Sequence, residues 1–236
     1  MRKLFWGFYL LLTFLVTLPA GWWVLSKVDF AYPFLYDNIG VAEHIERYAP
    51  KNNKNKLGFE TTSKQQRLDL FHQVVESIQN HGKGLQELSY QGLNNQAVAL
   101  FTPAEVTHLQ DVANLLDKLK PLIIGLVVLW LFISIFLLFK KFKLPSLKQW
   151  LLSALVLFFV SGAILALGLE KIFNQLHIWV FPDNHQWFFY YEESLMSTMM
   201  KAPDLFGFIA GIWGFLSVVF TMLIITLLTQ LGRKKP

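Results

Sequence analysis

Cysteine is absent from this 236-residue chain, which removes disulfide frameworks, thiolate metal sites and cysteine nucleophiles from consideration. Charge is scarce as well: Asp, Glu, Lys and Arg make up 16% of the residues, against about 25% in an average soluble domain. The usual catalytic signatures are missing too. There is no G-x-S-x-G elbow for a nucleophilic serine, no H-E-x-x-H zinc helix and no phosphate-cradling glycine loop. Apolar residues fill the space, at 54% of the chain with 22 Phe and 8 Trp. Such a composition excludes a disordered chain, a nucleic-acid-binding tail and most cytosolic enzymes. It is the composition of a membrane protein.

Four windows are long and apolar enough to cross a hydrocarbon core, which takes about 20 helical residues. They run over Leu4–Leu25, Pro121–Phe139, Leu151–Leu169 and Leu205–Leu231, and none contains Asp, Glu, Lys, Arg or His. Pumps and proton relays need ionisable groups at membrane depth, so that class is excluded. The first window exceeds a signal-peptide core, and Leu18-Pro19-Ala20 is a poor cleavage site, so a retained anchor is expected. Gly207, Gly211 and Gly214, with Gly162 and Ala166, are candidates for close helix packing.

Orientation follows from the placement of charge. Segments 1–3, 140–148 and 233–235 carry nine bases (Arg2, Lys3, Lys140, Lys141, Lys143, Lys148, Arg233, Lys234 and Lys235) and no acid. The positive-inside rule places these segments, and both termini, in the cytoplasm. All sixteen acids and all six histidines then fall in two outer segments. The expected plan is an all-α, polytopic protein of four spans with a helical extracytoplasmic cap. Its parts are a first span at 1–25, an outer helical loop at 26–120, and a second span at 121–139. A basic cytoplasmic loop at 140–150, a third span at 151–169, an aromatic outer loop at 170–204, a fourth span at 205–231 and a tail at 232–236 complete it. The net charge of +5 is accounted for by this topology, and no nucleic-acid partner is expected.

Within the first outer segment, Lys51-Asn52-Asn53-Lys54-Asn55-Lys56 reads as a solvated polar linker. Ser63-Lys64-Gln65-Gln66 reads as a capping box opening a helix, with Leu68, Phe71, Val75 and Ile78 at helical spacing and Gly82 and Gly84 ending it. Thr102-Pro103-Ala104-Glu105 is a second helix start, with proline at the first helical position. That helix runs to about Lys120, where Pro121 begins or kinks the second span. It carries His108, with Asp111 three residues later on the same face, an arrangement that suits tautomer control but also an ordinary exposed pair.

The second outer segment concentrates eight aromatics between Phe173 and Tyr191 around His177, Asp183 and His185. Such a stretch lies in the membrane interface or lines an apolar groove. Glu105, His108, Asp111, His177 and His185 are metal-ligand types, but their spacing matches no dedicated site, and no metal or cofactor is expected. Two histidines at one groove suit acid–base catalysis. The residues alone leave three readings open: an enzyme of that kind, a non-catalytic membrane protein binding a lipid or envelope partner, and a metal-dependent membrane hydrolase.

Phe101-Thr102-Pro103-Ala104-Glu105-Val106-Thr107-His108-Leu109-Gln110-Asp111-Val112 resembles the outer-loop signature of the lipoprotein intramolecular transacylases, four-span bacterial membrane proteins that make lyso-form lipoproteins. Leu176-His177-Ile178-Trp179-Val180-Phe181, followed by Trp187, Phe189, Leu195, Pro203 and Phe206, resembles a second stretch of that family. Leu176 and Val180 stand where phenylalanine is usual there. The resemblance implies transfer of an acyl chain from the diacylglyceryl group of a lipoprotein to the α-amino group of its N-terminal cysteine, in the bacterial cytoplasmic (inner) membrane. The implied partners are a diacylated lipoprotein and membrane lipid. The family's catalytic histidines fall on His108 and His177. In the mechanism this suggests, His108 is the general base, oriented by Asp111, and His177 donates a proton, with the two roles open to exchange. Trp179, Phe181, Trp187 and Phe189 are the expected substrate-binding aromatics.

Overall fold

The protein is described by a computed structural model covering residues 2–139, 148, 150–152, 155, 159, 162 and 168–233. It is mostly helical and divides into two compact units. The first unit comprises Met1–Leu25, Leu119–Gly168 and Ala210–Pro236, and the second Ser26–Lys118 and Leu169–Ile209. Among the described residues, three helices are long and apolar enough to cross a membrane: Leu4–Ser26, Pro103–Phe139 and Asp204–Leu231. The basic loop expected at 140–150 and the span expected at 151–169 lie for the most part outside the described residues.

In the first unit, helix α1 (Arg2–Ser26) supplies Trp6, Tyr9 and Leu10 to a cluster with Leu137, Trp150 and Ile225. Its buried Tyr9, Thr13 and Thr17 hydroxyls can be satisfied without charge. Tyr9 Oη bonds Ser134 Oγ at 2.6 Å, the Trp130 indole donates to Thr13 Oγ1 at 3.0 Å, and Thr17 Oγ1 meets Thr221 Oγ1 at 2.9 Å. Interhelical bonds of this kind are the usual polar adhesive between membrane helices. The close backbone approach comes at Gly21, where an added Cβ would sit 2.9 Å from Ser217 Oγ and 3.1 Å from the Trp213 ring. At Gly162, Gly211 and Gly214 an added Cβ would meet nothing within 4 Å. Of the glycines in the expected spans with a close approach described, the packing one is therefore Gly21, in the first span; Ala166 lies outside the described residues.

The second unit begins with two short helices, α2 (Tyr32–Asn38) and α3 (Val41–Tyr48). Helix α4 (Lys64–Gln79) opens with the capping box that the sequence predicts, since Ser63 and Gln66 exchange side-chain and backbone bonds. The α4 face that packs is centred on Leu70, Phe71, Val74 and Val75, whereas Leu68 and Ile78 are only half-buried. Phe71 stacks on Tyr32 at 3.8 Å between centroids. The chain leaves α4 through Gly82, at φ +79°, whose N–H donates to Ser77 O. Any Cβ there would also strike the Gln110 side chain.

Two local expectations change. The stretch 51–56 is not simply solvated: Asn52 and Lys56 are buried, and Lys56 Nζ donates to the carbonyls of Ala99 (2.5 Å) and Phe101 (3.1 Å). A lysine stem long enough to reach free carbonyls can be buried where composition alone reads a loop. The segment expected to form a helical cap is also not purely helical. Strands β1 (Ser89–Gln91) and β2 (Ala97–Ala99) form an antiparallel hairpin with Tyr90 opposite Val98, and its turn places Asn94 and Asn95 in the left-handed region. Three-residue strands are too short to show alternation in sequence.

Helix α5 (Pro103–Phe139) runs unbroken through Pro121. Its first five turns, to Lys120, carry the charged residues and His108, and the uninterrupted apolar stretch starts at Pro121. Helices α6 (Leu169–Val180), α7 (Leu195–Met200) and α8 (Asp204–Arg233) complete the described chain.

Candidate active site

The site grows from the N-terminus of α5, in the second unit. Thr102 N–H donates to Glu105 Oε2 at 2.6 Å, closing the capping box, and Thr102 Oγ1 accepts from Glu105 N–H at 3.4 Å. The other Glu105 oxygen accepts from Ser194 Oγ at 2.6 Å and from Met196 N–H at 3.0 Å. One fully buried carboxylate thus joins the start of α5 to the start of α7. That use takes Glu105 out of any ligand set. Among the described residues no group of three or more His, Asp or Glu gathers at metal-binding distance.

One turn further along α5, His108 is buried, at 7% exposure. It faces His177 of α6 with ring centroids 5.7 Å apart and planes inclined by 34°. Aromatic rings complete the surroundings. Phe181 is edge-on to His108 at 4.9 Å and 5.1 Å from His177, Phe189 lies 6.2 Å from His108, and Trp187 lies 5.0 Å from His177. Phe173, one turn before His177, is 4.0 Å from its ring. Of the four aromatics expected to line the site, Phe181, Trp187 and Phe189 border the histidine pair. Trp179 does not; it points away and is 74% exposed, on a face shared with Leu176 and Val180. A 100° step per residue cannot turn both 177 and 179 the same way.

Electrostatics in this apolar setting favour uncharged imidazoles. Burial pushes the His108 pKa down to about 4, the neighbouring His177 adds to the effect, and Asp111 opposes it. Burial also lowers His177, against the raising effect of its bond to the Phe173 carbonyl. That bond, from Nδ1 to Phe173 O at 2.7 Å, fixes the tautomer. A carbonyl oxygen only accepts, so Nδ1 carries the hydrogen and Nε2 keeps the lone pair of the neutral ring.

Asp111 takes a different partner from the expected one. Its Oδ2 accepts from His185 Nδ1 at 2.6 Å rather than orienting His108. The i,i+3 spacing brings Asp111 and His108 to neighbouring positions on the helix, so Asp111 acts on His108 through space. Its hydrogen bond goes to a donor 74 positions away in sequence. Phe173 and His185 are the residues that spacing did not assign to the site. The sequence signal for Phe173 was its place four residues before His177, where a helix puts it on the same face; His185 carries no such signal.

A family model described as lipoprotein intramolecular transacylase Lit matches residues 5–203, a stretch that includes both histidine-bearing helices. Among curated proteins, no sequence match is found. Among solved structures, the chain is similar to the membrane integral lipoprotein intramolecular transacylase Lit from Bacillus cereus, in an in meso structure of a histidine-to-arginine variant. That similarity has a TM-score of 0.61 at 13% identity and covers 99% of this chain and 94% of the other. The likeness is one of fold, and the family match supplies the assignment. The chain belongs to the lipoprotein intramolecular transacylase family: it is a helical membrane protein and an acyl-transferring enzyme.

Proposed function

We propose that this protein moves one acyl chain of a diacylglyceryl-modified lipoprotein from a glyceryl oxygen to the α-amino group of the N-terminal cysteine, leaving a lyso-form lipoprotein. The observation that carries this reading is the pair of neutral, aromatic-walled histidines 5.7 Å apart. Ester-to-amide exchange is downhill and requires no nucleotide. It requires an uncharged amine, a base for the proton that the amine sheds on attack, a donor for the developing oxyanion, and a proton for the departing alkoxide.

His177 is the base. With Nδ1–H held by the Phe173 carbonyl, Nε2 has a lone pair ready to take the amine proton. The amine nitrogen adds to the ester carbonyl carbon, and the carbonyl π electrons move to oxygen. His108, kept neutral by burial, donates its one ring N–H to that oxyanion, a role that a neutral imidazole can fill. Collapse of the tetrahedral centre expels the glyceryl oxygen, which takes the proton that His177 carries. The products are an amide and a free glyceryl hydroxyl, and His177 ends as it began. This is the exchanged form of the roles that the resemblance suggests, and the bond of Asp111 to His185 and that of His177 to the Phe173 carbonyl support it. Phe181, Trp187 and Phe189 exclude water and seat the acyl ester, and reaction within one bound molecule supplies much of the rate.

The reading includes four spans with a mostly helical cap that also holds the β1–β2 hairpin, both termini in the cytoplasm and the histidine pair at the outer face of a bacterial inner membrane. Nine bases without an acid in segments 1–3, 140–148 and 233–235 support that orientation. Exposed Leu176, Ile178, Trp179, Phe188 and Tyr190 suit an interfacial setting for the second outer segment.

The test uses the purified full chain in lipid nanodiscs with a synthetic diacylglyceryl-cysteine lipopeptide. Transfer leaves the mass unchanged, so fragmentation in tandem mass spectrometry must distinguish the isomers. An N-acyl, monoacylglyceryl product is expected, together with loss of reactivity toward amine reagents. A lipopeptide that stays diacylglyceryl with a free amine contradicts the proposal.

A further inference from the structure

Residues 181–190 form neither helix nor strand, yet they supply Phe181, Trp187 and Phe189 to the walls around His108 and His177. Their hydrogen bonds are nearly all local. His185 N–H donates to Pro182 O, the Gln186 side chain to Phe188 O, Phe181 N–H to His177 O, and Tyr190 O accepts from Glu193 N–H. Among the described residues, one polar contact ties this segment to a distant element: His185 Nδ1 to Asp111 Oδ2, at 2.6 Å. The Asp111 carboxylate is only 15% exposed and the His185 ring 33%, so water competes poorly for the bond. Asp111 also lies on the helix that carries His108, one turn away. A bond there fixes the segment against the same rigid element that positions one of the two histidines.

We propose that Asp111 and His185 form a positioning latch for acyl transfer, holding segment 181–190 so that its aromatic rings close around the reacting ester. The inference rests on the transacylase reading for its chemistry and on the segment's single distant tether for its mechanism. Neither residue touches the reacting atoms; His185 acts through Phe181, Trp187 and Phe189, and Asp111 acts through the same rings and also on His108 through space. A site that admits a two-chain lipid and then excludes water needs a wall that opens, and an irregular segment held by one distant polar bond and by ring contacts to His108 allows that motion.

The test combines two readouts on the full chain in nanodiscs, for the wild type, Asp111→Asn, His185→Gln and the double variant. Hydrogen exchange followed by mass spectrometry reads the segment itself. Each single variant should speed exchange in 181–190 and leave 64–79, the α4 helix, unchanged. Lipopeptide turnover reads the consequence: kcat should fall by about tenfold in each single variant, the worth of a bond to a charged group, with KM moving less. The double variant should be no slower than either single one, because both remove the same bond. Unchanged exchange in either single variant overturns the latch. So does a double variant slower by the product of the single losses, which would mean separate roles. A wild-type chain that leaves the lipopeptide unconverted sinks the transacylase reading instead, and the exchange data then decide the latch by themselves.

Discussion

The two units bury polarity in opposite ways. Among the described residues of the first unit, the buried Thr and Ser side chains are Thr13, Thr17, Ser134, Ser217, Thr221 and Thr229, the Tyr9 hydroxyl is buried with them, and no Asp, Glu, Lys, Arg or His joins them; the indole N–H groups of Trp6 and Trp150 are buried too. Thr13, Ser134, Ser217, Thr221 and Thr229 each donate to the carbonyl four residues back on their own helix. The second unit buries Lys56, Arg67, Glu105 and His108. Arg67 alone needs Thr62 Oγ1, the Tyr36 hydroxyl and the Glu60 carbonyl to satisfy it. Where the chain has only lipid and other helices for neighbours, a group that satisfies itself locally costs little. Where it builds chemistry, it takes on the larger desolvation cost of ionisable groups and offsets that cost with long-range partners.

That contrast can be broken at several points. The largest effect is expected at His177. His177→Asn keeps a polar side chain but removes the proposed base, and turnover of the lipopeptide should fall by about a hundred- to ten-thousandfold. Next is Glu105, the second unit's buried junction. Glu105→Ala leaves the Thr102 and Met196 N–H groups and the Ser194 hydroxyl without their acceptor, a loss of about 3 kcal/mol that thermal unfolding in detergent would register. Gly21→Leu tests the first unit, since its side chain must displace Ser217 and Trp213. The expected cost is about 1–3 kcal/mol, read in the same melting experiment. The smallest effect belongs to Thr17→Val, which deletes the bond to Thr221 for about 0.6 kcal/mol. A loss at Thr17 as large as that at Glu105 would erase the distinction between the two units.

What was legible in the sequence was local or periodic. The boxes at Ser63–Gln66 and Thr102–Glu105 are each written within four residues and fold as written. Long apolar windows are equally plain, and three of them are helices here. Partnerships across the chain were not legible. His108 and His177 are brought together by packing that no spacing rule encodes, and only the family resemblance linked them beforehand. Asp111 was paired with the one neighbour that sequence makes visible, His108, while its actual donor, His185, lies beyond any local rule. Lys56 departs from its expected setting for a related reason: six polar residues look solvated until two carbonyls from a distant segment come within reach. The second role of Glu105, on Ser194 and Met196, was hidden in the same way.

The central claim is that the histidine pair works uncharged, with His177 as base, and the pH–rate profile tests it most directly. Because burial lowers both histidines below their ordinary value of 6.5, both are deprotonated from that pH upward. The remaining group that must lose a proton is the substrate's α-amine, at about 7.7–8.0. Turnover of the diacylglyceryl-cysteine lipopeptide should therefore rise with pH through that range and level off. His177→Asn should lower the whole curve. A rate that instead falls as pH rises from 6.5 to 8 would mean that a protonated histidine is the active form, and it would contradict the account.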